Sequence, residues 1–163
     1  NNLFSLKKNE VLDIISSHQI VENFFVFKNY PSNLNVKIEN TKFLAITNKK
    51  GINYYIGANG KLINIKDKNK NLPFIFGDID VDEFLNLKEI IDNSSFNFDD
   101  ILNFYYFRSK RWDIETKNGI IINLPKENLG MSFEILLNIL SKNEFEKFKK
   151  IDLRQNNQVI LND

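Results

Sequence analysis

A chain of 163 residues with 22 basic and 21 acidic side chains carries a formal net charge of +1, so it projects no broad field toward nucleic acid or acidic lipid. A chain of this size buries roughly 70% of its unfolded surface, and its 42% hydrophobic and 13% aromatic content can build a core, which excludes a disordered or fibrous chain. The absence of Cys removes disulfide frameworks, thiolate metal sites and thiol nucleophiles, and no run approaches the roughly 18 consecutive apolar residues that a membrane span needs.

Asn, Ile and Lys are so frequent that Lys and Asn runs carry little functional weight. The chain opens on Asn1-Asn2 without Met, as expected of a trimmed piece whose upstream segment is missing. Val11, Ile14 and Ile15 recur at helical spacing between Lys8 and Ser17. Ile20 to Phe27 is β-rich and aromatic, and four such residues in a row, Phe24 to Phe27, suit a strand covered on both faces. After the turn Tyr30 to Asn33, the residues Leu34, Val36 and Ile38 alternate with polar ones as a half-buried strand.

Short strands follow from Phe43: FLAIT, INYYIG and KLINI, broken at Lys50-Gly51 and Asn59-Gly60. Asn-Gly tolerates φ > 0 at both central positions and predicts a hairpin. A polar loop over Lys66 to Asn71 leads to a helix over Asp82 to Ile91, with Phe84, Leu87, Ile90 and Ile91 on one face. Strands resume from Ile101, and RWDIET meets GIIINLP across Lys117-Asn118-Gly119. A second amphipathic helix is predicted over Met131 to Phe148, and the chain closes on IDLRQ and QVIL about Asn156-Asn157. The fold class is α+β, divided near residue 47.

The sharpest local motif places Asp78, Asp80, Asp82 and Glu89 at positions 1, 3, 5 and 12 of a calcium loop. Position 6, where that loop needs Gly for its turn, is Glu83, so the better reading is a helix N-terminus capped by Asp80 or Asp82. His18 is the single His, and there is no G-x-S-x-G, G-x-G-x-x-G or phosphate-cradling loop. The lysines at 61, 66, 68 and 70, near Tyr54 and Tyr55, read as a solvated loop because Asp67 interrupts them. No cofactor, no metal and no enzymatic reaction are expected. More informative is the terminal strand: Val159-Ile160-Leu161 is apolar and uncharged, and an open edge of that kind is what strand addition by a partner requires. Pattern alone leaves open whether it is an edge or an internal strand.

The order of several pieces across the chain resembles the extracytoplasmic region of the FtsQ/DivIB cell-division family. They are NNLFSL (Asn1 to Leu6), YPSNLNVKIE (Tyr30 to Glu39), Asn59-Gly60, LPFIFG (Leu72 to Gly77), Arg111 to Pro125 and IDLRQNNQVIL (Ile151 to Leu161). The resemblance implies a truncated POTRA unit over 1–47, a β-domain with two helices over 48–163, and a single-pass inner-membrane protein with this region in the periplasm. It implies a non-enzymatic divisome scaffold that docks the FtsB–FtsL pair, with FtsB adding a strand beside the last β-strand. The partner-binding residues are then Lys110 or Arg111, Arg154, Gln155, Asn157, Gln158, Val159, Ile160 and Leu161, with no nucleic acid as partner. Gln155 and Gln158 stand where the family usually has Tyr and Gly, which points to a more polar contact or one shifted onto Ile160. On this reading Ile160→Pro should abolish docking and spare the fold. The alternative is a POTRA-bearing module that docks polypeptides in outer-membrane protein assembly or secretion.

Overall fold

The computed structural model describes residues 14, 15, 17–29, 33–64, 71–141, 148–155 and 158–162. The predicted helix over Lys8 to Ser17 lies almost wholly outside them, as do Tyr30 to Ser32, most of the Lys66 to Asn71 loop, residues 142–147 of the second helix and the Asn156-Asn157 turn. Strands β1 (Val21–Asn29) and β2 (Asn33–Asn40) form an antiparallel hairpin sheet. The other strands are β3 (Phe43–Lys49), β4 (Ile52–Gly57), β5 (Leu62–Asn64), β6 (Phe74–Phe76), β7 (Ile101–Tyr106), β8 (Trp112–Thr116), β9 (Ile121–Asn123), β10 (Lys150–Gln155) and β11 (Gln158–Asn162). Among the described residues these nine form one mixed sheet in the order β11-β10-β9-β8-β7-β6-β3-β4-β5. Helices α1 (Val81–Asn93) and α2 (Leu129–Leu140) complete the α+β fold.

The two sheets part at Thr41-Lys42, so the expected division at residue 47 falls inside β3. Phe24 to Phe27 differ from expectation. Strand alternation points Phe25 and Phe27 away from Phe24 and Val26, and they are 47% and 53% exposed. Among the described residues β1 and β2 pair only with each other, so the hairpin has no sheet covering both faces. Lys37 lies over the Phe25 ring instead.

Turn chemistry is distributed differently from the pattern reading. Lys50 and Gly51 both take positive φ (53° and 82°) and make the two-residue turn between β3 and β4. At Asn59-Gly60 only the glycine is left-handed, at φ 74°. Asn59 serves through its side chain: Nδ2 donates to Gln19 O (3.0 Å) and Val21 O (3.1 Å), and Oδ1 accepts from Lys61 N–H (3.1 Å). With Thr41 N–H donating to Ile20 O at 2.9 Å, these bonds join the hairpin to the β4–β5 end of the large sheet.

Handedness decides where the core lies. β6 is parallel to β7, and β9 is parallel to β10, so each pair needs a crossover, supplied by α1 and α2. Both crossovers step the same way across strands of the same direction, and the right-handed rule therefore places both helices on one face. That face is the buried row Ile75, Phe104, Ile114, Ile122 and Ile151, against which α1 sets Phe84, Leu87 and Ile91 and α2 sets Phe133 and Leu136. Phe104 meets Phe84 and Trp112 edge-on, with ring centroids 5.7 and 6.0 Å away. Each such side chain contributes roughly 1.5–3 kcal/mol by leaving water. Asp80 caps α1, its side chain accepting from Asp82 N–H at 3.1 Å.

Gly77 sits where β6 leaves the sheet, at φ 111°, and a Cβ there would meet Tyr106 O at 2.2 Å. Gly77→Ala is therefore expected to cost about 3 kcal/mol or more. Gly51→Asn, in open space at a left-handed turn, should cost less than about 1 kcal/mol. Urea denaturation of the two variants measures both.

Candidate functional site

The terminal strand is an edge. β11 pairs with β10 in antiparallel fashion, Ile151 opposite Leu161 and Asp152 opposite Ile160, and its other side has no strand beside it among the described residues. Which peptide groups face outward follows from the neighbouring strand. Ile121 N–H donates to Lys149 O at 2.9 Å, and Ile121 stands opposite Lys150, so the peptide groups of Ile151 turn toward β9 and those of Lys150 and Asp152 toward β11. Ile160, opposite Asp152, accordingly turns its main chain inward, and Val159 and Leu161 turn theirs outward. Proline at 160 would then break the protein's own ladder, so the expected outcome of Ile160→Pro is reassigned to Leu161→Pro. Ile160 and Leu161 are 40% and 37% exposed, and Val159 packs against the core.

The face opposite the helices carries the charge. Register aligns Tyr105, Asp113, Asn123, Asp152 and Ile160 in one lateral row across β7 to β11. Arg111 and Arg154 lie on the same face by alternation, two residues from Asp113 and Asp152. Arg154 is paired with its neighbour: its main-chain N–H and Nε donate to Asp152 Oδ1 at 3.0 and 2.8 Å, and Nη2 bonds Asp152 Oδ2, while the side chain stays partly exposed. Arg111 is held loosely, with Nε 3.4 Å from Asp113 Oδ1 and its guanidinium 4.3 Å over the Phe107 ring. Arg111 Nε, Asp113 Oδ1 and Asn123 Oδ1 are buried without hydrogen-bond partners.

Lys110 goes elsewhere. It occupies the β7–β8 turn at φ 61° and bonds Glu83 of α1 at 2.8 Å. Of the two basic residues before Trp112, Arg111 is the one the fold places on the face of Arg154. Gln155 is exposed at the end of β10, Asn157 lies outside the described residues, and only the main chain of Gln158 is described. Asp113, Asn123 and Asp152 escaped the sequence reading. Their signal was charge at i, i+2 within apolar strands, as in Arg111/Asp113/Glu115 and Asp152/Arg154. Glu115 belongs to the same face and accepts from Asn103 Nδ2 (2.8 Å) and Tyr105 OH (2.6 Å). Among the described residues no three His, Asp or Glu gather as a metal site, and no helix is long and apolar enough to cross a membrane.

The two carboxylates of the row titrate in opposite directions. Burial pushes Asp113 above the ordinary range, and Arg111, Asn123 and Arg154 offset this only in part. The hydrogen bond from Arg154 holds Asp152 below the ordinary range. A depressed carboxylate stabilises the fold above its unfolded pKa and loses that contribution as pH falls through the folded value; a raised one gains as pH falls through its window. Asp152→Asn should therefore lower stability by about 1 kcal/mol or less at neutral pH, Arg154 being partly exposed, and the deficit should vanish on acidification. Asp113→Asn should be at least as stable as the parent at neutral pH, with its advantage shrinking as pH falls. Urea denaturation between about pH 3 and pH 7 reads both signs.

Among solved structures, the chain is similar to the major extracytoplasmic domain of the trans isomer of the bacterial cell division protein DivIB from Geobacillus stearothermophilus. The match has 12% sequence identity and a TM-score of 0.43, and covers 59% of this chain and 87% of that one. No curated protein matches. The model of the C-terminal region of cell division protein FtsQ/DivIB matches residues 45–154, from β3 through Arg154. That span includes more than half of the chain and every strand of the large sheet except the edge strand, and the chain belongs to the FtsQ/DivIB cell-division family.

Proposed function

We propose that this chain is a non-enzymatic scaffold of the divisome that docks the FtsB–FtsL pair by strand addition along β11, supporting septum formation. The observation that carries the reading is the open edge of β11, whose outward-facing peptide groups at Val159 and Leu161 are free of any described strand. An added strand gains main-chain hydrogen bonds there, and Ile160 offers an apolar contact on the outer face. Arg111 and Arg154 lie on that same face and supply cations for acidic partner residues, whereas Lys110 is turned from it toward Glu83 of α1. The β1–β2 hairpin is assigned to the POTRA unit, and the whole region to the periplasmic side of an inner-membrane protein whose anchor is outside this chain.

Hydrogen exchange with the cognate FtsB segment tests the reading residue by residue. The amides of Val159 and Leu161 should be fast in the free protein and slow in the complex, and that of Ile160 slow in both. Leu161→Pro should abolish binding with the sheet intact, and Arg111→Ala should weaken it about tenfold, or about 1.4 kcal/mol. Val159 and Leu161 amides unaffected by saturating segment would sink the docking model. Protection appearing on β1–β2 instead would favour a polypeptide-docking POTRA module, for which the exposed Phe25 and Phe27 are the supporting observation.

A further inference from the structure

The outer face near the edge alternates its charges: Arg111 and Asp113 project from β8, Asp152 and Arg154 from β10. With Lys150 and Glu115, which stand in the next row of the same face, three cations and three anions sum to zero, so this face does not collect acidic segments by field alone. The two pairs differ in how closely the arginine is held. Arg111 Nε is buried without a hydrogen-bond partner, whereas Arg154 already gives Asp152 two guanidinium donors and its main-chain N–H. The carboxylate that occupies Arg154 is itself buried in register with Ile160, one strand in from the edge.

Resting on the docking reading above, we propose that Asp152 is a specificity-determining residue of the edge, occupying Arg154 in the free protein and yielding it only to a partner carboxylate held in register along β11. The physical argument is one of competition. An acid that arrives out of register trades one carboxylate for another on the same guanidinium, so it gains little. It must also approach Asp152 and Asp113, both buried, and so meets like charge in a medium that screens it poorly. An acid carried on a strand that already bonds Val159 and Leu161 is present at high local concentration over Arg154, which tips the same exchange in its favour. Asn123 and Ile160, which flank Asp152 in the row, carry no charge and do not alter this balance. Arg154 then rewards correct register rather than negative charge as such.

The test compares two probes on the parent protein and on Asp152→Asn: a peptide of the cognate FtsB strand-forming segment, and a scrambled peptide of identical composition. The parent should discriminate strongly. In the variant the scrambled peptide should bind about tenfold tighter at low salt, and the cognate should change by less than about threefold, so discrimination falls about tenfold. An unchanged ratio overturns the proposal, as does loss of cognate affinity in a variant whose unliganded exchange pattern over β10 and β11 matches the parent. A second measurement needs no substitution. The Arg154 Nε–H resonance should exchange slowly in the free protein and be released when the cognate peptide binds. If it stays slow while the Val159 and Leu161 amides become protected, docking stands and the specificity role falls. If those amides do not respond either, the docking reading itself fails.

Discussion

The handedness of two crossovers governs most of this molecule. Because β6–α1–β7 and β9–α2–β10 advance in the same direction across the sheet, both helices are confined to one side of it. Strand alternation does the rest. Side chains toward the helices must be apolar and close-packed, as Phe104, Ile114, Ile122 and Ile151 are, and the intervening positions are released from that demand. The charged row can exist only because no helix is obliged to cover it. The parallel pairing of β10 with β9 has a further effect: the returning strand β11 can pair only on the outer side of β10, and so becomes the edge.

On the released face, burial and pairing act against each other. Asp113 and Asp152 are almost equally inaccessible, yet one is pushed toward its neutral form and the other away from it. The difference lies in hydrogen bonding. Asp152 receives main-chain and guanidinium donors from Arg154, whereas at Asp113 burial outweighs what Arg111 and Asn123 supply, and Oδ1 is left without a well-aligned donor. A buried carboxylate is stable as an anion only when its lone pairs are answered. The row therefore contains one satisfied and one unsatisfied ion pair, two strands apart on the same surface.

Much of the architecture was legible in the residues. The strands from Phe43 onward, the helix over Asp82 to Ile91 and the terminal hairpin all appear where periodicity placed them, because each presents an apolar face at its own period. Three kinds of information were not local. The aromatic run Phe24 to Phe27 shows β-propensity but not whether a second layer covers it, and the exposed Phe25 and Phe27 record that difference. The role of Asn59 lies in bonds to Gln19 and Val21, about forty positions back, which no turn rule contains. The third is register: that Asp113, Asn123 and Asp152 stand side by side follows from two strand pairings that one-dimensional pattern does not encode. The terminal strand was singled out by its apolar, uncharged pattern and Arg154 by resemblance, and Arg111 was separated from Lys110 only by the turn geometry that sends Lys110 to Glu83.

The Asn59 junction has a mechanical consequence. The hairpin is fastened beside β4 and β5, and β11 is at the opposite end of the strand order. Eight inter-strand steps of about 4.8 Å separate the two ends, or about 38 Å measured along the sheet. A load applied through β1 enters the sheet at Gln19, Ile20 and Val21 and runs sideways through successive ladders of backbone hydrogen bonds before it reaches Val159 or Leu161. Residues of β4, β8, β9 and β10 on the way belong to one buried cluster, so the two ends are joined by a continuous core. The hairpin junction and the open strand therefore occupy opposite margins of the sheet, and contact at one leaves the other uncovered.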